Sequence, residues 1–131
     1  MNILKKIFSK SASEPVSKQT FPWKTLTSVE QLDSIAESSQ NTTVVIFKHS
    51  TQCHISKMVL SNFESEAAEL TTRADFYFLD LLQFRGVSNA VADRYNVVHQ
   101  SPQLLIIKKA TCVYDASHHS IQAAELEKYL D

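Results

Sequence analysis

Lys48-His49-Ser50-Thr51-Gln52-Cys53-His54-Ile55-Ser56 lies between two contrasting patterns. Before it, Thr43-Val44-Val45-Ile46-Phe47 is an unbroken β-branched and aromatic run, the pattern of a central strand covered on both faces. After it, Ile55, Met58, Val59, Phe63, Ala67 and Leu70 recur at helical spacing and predict a long one-faced helix over 54–70. Cys53 therefore stands where a strand hands over to a helix N-terminus. Unpaired backbone N–H groups and the helix dipole make that place electropositive. A thiolate is stabilised there, and the thiolate is the reactive form of cysteine. The competing reading is a small buried core cysteine, a common fate of a free thiol.

Outward from this stretch, strands and helices alternate. Trp23-Lys24-Thr25-Leu26 reads as a short edge strand, and Ser28 with Gln31 as a capping box. Val29, Leu32, Ile35 and Ala36 follow at helical spacing, and 38–42 is a polar loop. Asp75 to Leu81 reads as a second buried strand. Ser88 is expected to cap a short helix with Val91, Ala92 and Tyr95 inward. Ser101-Pro102 introduces a third buried strand, Gln103 to Ile107. The Lys108-Lys109-Ala110 turn leads to Thr111-Cys112-Val113-Tyr114 as an antiparallel partner, and Ser120 is expected to cap a last helix through Tyr129. This order predicts an α/β domain: a central mixed β-sheet flanked by helices on both faces.

The chain has 131 residues, 44% hydrophobic, with a formal net charge of −1. That suits one domain with its own core and does not suggest a nucleic-acid partner, which would show as a basic excess. A single glycine, Gly86, argues against phosphate-cradling loops and dinucleotide fingerprints. Two cysteines, Cys53 and Cys112, suit a reducing cytoplasm better than a disulfide-stapled secreted scaffold. The N-terminus, Met1 to Phe8, is basic and apolar but too short to span a membrane, so no stable membrane insertion is expected. With the Ser/Lys-rich stretch around Pro15 it reads as a flexible arm over 1–20, ahead of a domain over 21–131.

The element order is the thioredoxin-like order, and Cys53-His54-Ile55-Ser56 occupies the place of its C-x-x-C motif, with serine for the second cysteine. More narrowly, Lys48 to Ser56 together with Gln100-Ser101-Pro102-Gln103 resembles the monothiol bacilliredoxins, the thioredoxin-like redox proteins of the bacillithiol system. The resemblance extends through Val113 to Ser120 and covers roughly residues 23–131. It implies a monothiol thiol–disulfide oxidoreductase with no tightly bound cofactor and bacillithiol as the exchanging small thiol. Its partners would be S-thiolated client proteins, with a low-molecular-weight thiol or a reductase for regeneration. It places Cys53 as nucleophile, with Ser56 and His54 beside it, and Thr51, Gln52, Ser101 and Pro102 at the substrate groove. It also implies a cis peptide bond before Pro102, facing the cysteine.

The residues themselves leave alternatives. Ser56 has no redox chemistry; its hydroxyl could donate to the Cys53 thiolate or satisfy a local backbone group. Histidine titrates near neutrality, so His54, ahead of His49, is the favoured source of positive charge at the site, with Lys48 also near. Cys112, on the closing hairpin, reads as a structural cysteine rather than a resolving partner. Asp80, Asp115, His99, His118 and His119 have no metal-ligand spacing with the cysteines. Val59 stands where a phosphatase-type loop would need an arginine. The alternative class is a carrier or adaptor of this fold, for example one binding an iron–sulfur cluster, although the Cys-Gly-Phe-Ser motif of monothiol glutaredoxins is not present.

Overall fold

The computed structural model describes residues 20–131. The expected arm over 1–20 lies outside them except for Thr20. Eight main elements follow one another: β1 Lys24–Thr25, α1 Gln31–Ser38, β2 Val44–His49, α2 His54–Glu66, β3 Asp75–Asp80, α3 Arg85–Tyr95, then the hairpin β4 Gln103–Lys108 and β5 Thr111–Ser117. A short helix, α4 Ala123–Glu127, closes the chain. The sheet order is β1-β3-β2-β4-β5. β1, β3 and β2 run parallel, β4 is antiparallel to β2, and β5 is antiparallel to β4.

Alternation along β2 sorts the core into two halves. Val45 and Phe47 face α2 and α4, meeting Val59, Phe63, Phe76, Leu104 and Leu126. Val44 and Ile46 face α1 and α3, meeting Leu32, Ile35, Val87, Val91 and Leu105. The first half is aromatic at one side. Trp23 stands 5.9 Å from Phe47 and 6.2 Å from Phe63 by ring centroids, and its indole N–H donates to Glu64 at 2.6 Å. The second half is mainly aliphatic, with Tyr95 among its buried residues.

The structure moves several sequence-based boundaries. β2 continues through Lys48 and His49, both buried, instead of stopping at Phe47. Ser88 caps nothing: α3 starts three residues earlier, with Phe84 at its cap, and Ser88 is buried inside the helix. The chain reaches that cap through Asp80, whose carboxylate accepts the Leu82 and Gln83 amides and whose carbonyl accepts that of Phe84. Ser120 ends a short 3₁₀ turn, and α4 starts later, from a cap at Gln122, and stops at Glu127. α2 ends at Glu66, and a 3₁₀ turn carries Leu70 into the core. Ile55 and Met58 lie exposed, off its buried stripe.

Ser28 is not the cap of α1, which starts after Glu30 without a side-chain cap bond, but Gln31 does reach back: its Oε1 accepts the Ser28 amide at 3.0 Å and the Thr27 amide at 2.7 Å. The hairpin turn is Lys109-Ala110, both residues left-handed at φ 52° and 62°. Ser39 at the end of α1 holds it, its carbonyl accepting the Lys109 amide at 2.7 Å and its hydroxyl the Ala110 amide at 2.8 Å.

Candidate active site

Register brings the site together at one end of the sheet. Lys48 is opposite Gln103, and Gln103 is opposite Ser117. The turn after β2, the turn after β3, the Ser101-Pro102 step before β4 and the corner after β5 therefore share the carboxyl end of the parallel strands. Open α/β sheets place their ligands at this end. The Ser101–Pro102 bond is cis, Pro102 is buried, and its carbonyl accepts the His118 amide at 3.0 Å.

Cys53 is the N-cap of α2, half-buried, with extended backbone at φ −106° and ψ 119°. Its amide donates to the Ser50 carbonyl at 3.2 Å, closing a turn over 50–53, and its carbonyl accepts the Lys57 amide at 3.2 Å, the first bond of the helix. Thr51, Gln52 and His54 are exposed around it. Ser101 is half-buried, and its hydroxyl is buried without a partner among the described residues.

Ser56 is fully buried. Its oxygen accepts the Ser50 amide at 3.1 Å and lies 2.8 Å from His49 Nδ1. Its hydrogen bonds thus run to the turn and to the strand, with none to Cys53. His49 is 5% exposed, and its ring lies 5.4 Å from that of Phe78. Burial pushes the imidazole below its ordinary range. The Asp80 carboxylate opposes this, the Lys57 ammonium adds to it, and the Glu64 carboxylate opposes it.

Lys48 points to the other face and is fully buried. Its ammonium donates to the Ser88 carbonyl at 3.2 Å and lies 3.2 Å from His99 Nδ1. Burial pushes it down to about 8. Gln103, also buried, donates to the Val98 carbonyl at 3.0 Å. Lys48 and Gln103 therefore fasten the loop ahead of Pro102 to the sheet. His49 was the lesser candidate by sequence, and Ser88 and His99 had no place in the site. Their common signal was weak: polar residues at or near the ends of apolar runs.

Cys112 is remote. It pairs with Ile107, which pairs with Val44 at the opposite end of β2. Five strand steps, about 17 Å, separate that register from His49, beyond the reach of a disulfide. Its thiol donates to the Tyr114 carbonyl at 3.4 Å, and burial pushes its titration up. Among the described residues no group of three or more His, Cys, Asp or Glu is placed to hold a metal ion. No helix among them is long and apolar enough to cross a membrane. A concavity of about 640 Å³ lies between α2 and α4 along Asn62, Glu66, Leu70 and Ala123, and Cys53 does not line it. We place the site at Cys53 on chemical grounds, because that groove is lined by no thiol.

One half-buried thiol capping the helix that leaves the central strand, on this sheet order, is the arrangement of a thiol redox protein with the thioredoxin fold. A solved structure described as having a thioredoxin fold is 30% identical, covers 79% of this chain and 89% of its own, and superposes with a TM-score of 0.69. Thioredoxin NaTrxh from Nicotiana alata is 22% identical over 88% of this chain and 95% of its own, TM-score 0.64, and the Fasciola hepatica thioredoxin is 18% identical over 80% and 94%, TM-score 0.62; these two speak for the fold alone. Residues 24–126 match the family described as monothiol bacilliredoxin BrxC, and the chain belongs to that family.

Proposed function

We propose that the protein removes bacillithiol from S-thiolated client proteins through Cys53. The Cys53 thiolate attacks the bacillithiol sulfur of a client–bacillithiol disulfide. That S–S bond breaks, a Cys53–bacillithiol disulfide forms, and the client cysteine leaves as a thiolate and takes a proton. A second thiol, free bacillithiol or a reductase, then attacks the bacillithiol sulfur of the adduct; a new disulfide forms between that thiol and bacillithiol, the Cys53–bacillithiol bond breaks, and Cys53 leaves as a thiolate. Disulfides are passed on at each step, so neither cofactor nor metal takes part. A reducing cytoplasm is the setting this cycle needs.

The observation that carries this reading is the isolation of Cys53 at a helix cap, with serine at the place of a resolving cysteine and Cys112 at the far end of the sheet. Thr51, Gln52, Ser101 and Pro102 are proposed to hold the client segment. Exposed Ile55, Met58, Leu82 and Val98, all on segments at this end of the fold, suit contact with a protein rather than with a small molecule alone.

The test is intact-protein mass spectrometry after incubation with a bacillithiolated client, comparing the natural chain with Cys53→Ser. The expected result is a bacillithiol adduct on the natural chain, none on the variant, and release of reduced client. If no adduct forms under conditions where a control thiol exchanges, the transfer reading fails and a carrier or adaptor role replaces it.

A further inference from the structure

Cys53 and Ser56 occupy the N-cap and third positions of α2, the spacing at which a capping-box side chain reaches back to the cap residue. Ser56 does not reach back to Cys53. Its buried hydroxyl receives the Ser50 amide and has one hydrogen to give, and among the described residues the acceptor beside it is His49 Nδ1, 2.8 Å away. A buried hydroxyl hydrogen needs an acceptor. That requirement assigns His49 as the neutral tautomer with its proton on Nε2. The chain of bonds then runs Ser50 N–H to Ser56 oxygen, and Ser56 O–H to His49 Nδ1.

We propose that His49 is a positioning residue that takes the Ser56 hydroxyl hydrogen and so withholds it from Cys53, making the direction of that hydroxyl a control on Cys53 reactivity. The inference rests on Cys53 being the reacting group, as in the proposed function. When His49 binds a second proton, Nδ1 becomes a donor to the Ser56 oxygen. That oxygen then accepts from both Ser50 and His49, and its own hydrogen loses its His49 acceptor; the new acceptor in this proposal is the Cys53 sulfur, three residues back at the helix cap, brought into reach by rotation of the Cys53 side chain. Protonation of His49 therefore supplies Cys53 with a hydrogen-bond donor and a nearby cation together. Both favour the thiolate.

The groups facing the imidazole set when this happens. Asp80 pairs with His49 across β2 and β3 and favours the protonated ring, as does Glu64 on α2. Lys57 on α2 and burial beside Phe78 oppose it. Nothing in the C-x-x-S pattern points to this residue, because it lies four positions before the cysteine and its contact is made across the strand–helix packing.

Two measurements test the proposal, and neither uses bacillithiol transfer, so they stand whether or not the transfer reading does. Long-range ¹H–¹⁵N correlation on the full chain near neutral pH is expected to show His49 Nδ1 without a proton; a proton on Nδ1 overturns the proposal. The second is Cys53 alkylation by iodoacetamide, followed on its own peptide. His49→Leu removes the acceptor and is expected to raise the rate near pH 7 about threefold, since a larger thiolate fraction is partly offset by lower nucleophilicity. Ser56→Ala in the same chain is expected to cancel that rise, and His49→Asn, which keeps an acceptor near the Nδ1 place, to leave the natural rate within about twofold. Equal rates in the Leu and Asn variants, or a rise that survives Ser56→Ala, overturn it.

Discussion

Lys48 and His49 are neighbours in sequence and end in opposite halves of the molecule. Lys48 lies in the aliphatic half, its ammonium bound to α3 through the Ser88 carbonyl and set against His99. His49 lies in the aromatic half beside Phe78, its imidazole bound to α2 through Ser56. Both continue the strand past its apolar run, and both are buried polar groups with a partner on the helix covering their face. The partners separate their tasks. Lys48 holds the segment leading to Pro102, which is architecture. His49 holds the residue three positions after Cys53, which is chemistry. Alternation along one strand end thus divides support from reactivity without any additional element.

If that division is correct, the larger stability effects belong to Lys48. Lys48→Ala leaves the Ser88 carbonyl without its buried donor and opens a cavity, and should cost about 3–5 kcal/mol in urea unfolding. A loss of about 1 kcal/mol or less would mean that the loop before Pro102 is held by other contacts.

The alkaline side gives a comparable effect. The Lys48 amine titrates at about 8 in the folded chain, against an ordinary 10.5. Below pH 8 both states carry the charge and the folded one bears the full cost of burying it. Between about pH 8 and 10.5 the unfolded chain holds this proton longer, so stability gains as pH rises, by about 3 kcal/mol in all. Tyr95, Tyr114 and Cys112, pushed upward by burial, act in the opposite sense at alkaline pH. The quantity to measure is therefore the difference from Lys48→Met, which should lack the gain. Parallel pH curves for the two chains would show that the Lys48 charge is not buried.

The smallest effect contrasts the two halves directly. His49 and His99 both titrate below the ordinary 6.5 because of burial, with Lys48 and Arg85 also lowering His99. As pH falls through 6.5 the unfolded imidazoles take protons first, so folded stability declines. His49→Asn and His99→Asn should each flatten part of this acid limb in unfolding curves. Only the His49 variant should also change the acid end of the Cys53 alkylation profile; if both do, the two halves are not separate.

Much of the fold could be read from local pattern. The run Thr43 to Phe47 locates the central strand, Gln31 marks the first helix, and the switch of pattern after Phe47 places Cys53 at the strand–helix junction. The buried polar contacts could not be read this way. Lys48 and His49 look like a charged strand end because their partners, Ser88, His99 and Ser56, are brought to them by tertiary packing. Ser88 imitates a cap because serine favours caps, and its burial is explained by the Lys48 ammonium at its carbonyl and by His99 Nδ1, 3.4 Å from its hydroxyl. Ile55 and Met58 fit helical spacing, yet at 100° per residue they stand about 80° and 140° round from Phe63, off the buried stripe.

The Lys109-Ala110 turn has a consequence for the order in which the chain assembles. Hairpin turns with two left-handed residues favour Asn-Gly, and neither lysine nor alanine prefers that conformation. The turn is instead held by two oxygens of Ser39, seventy residues upstream of Lys109. β4 and β5 are adjacent in sequence, but their connection is completed by the first helix, so this local hairpin closes on a long-range contact. A fragment starting after Ser39 would contain both strands and lack the group that fixes the turn between them.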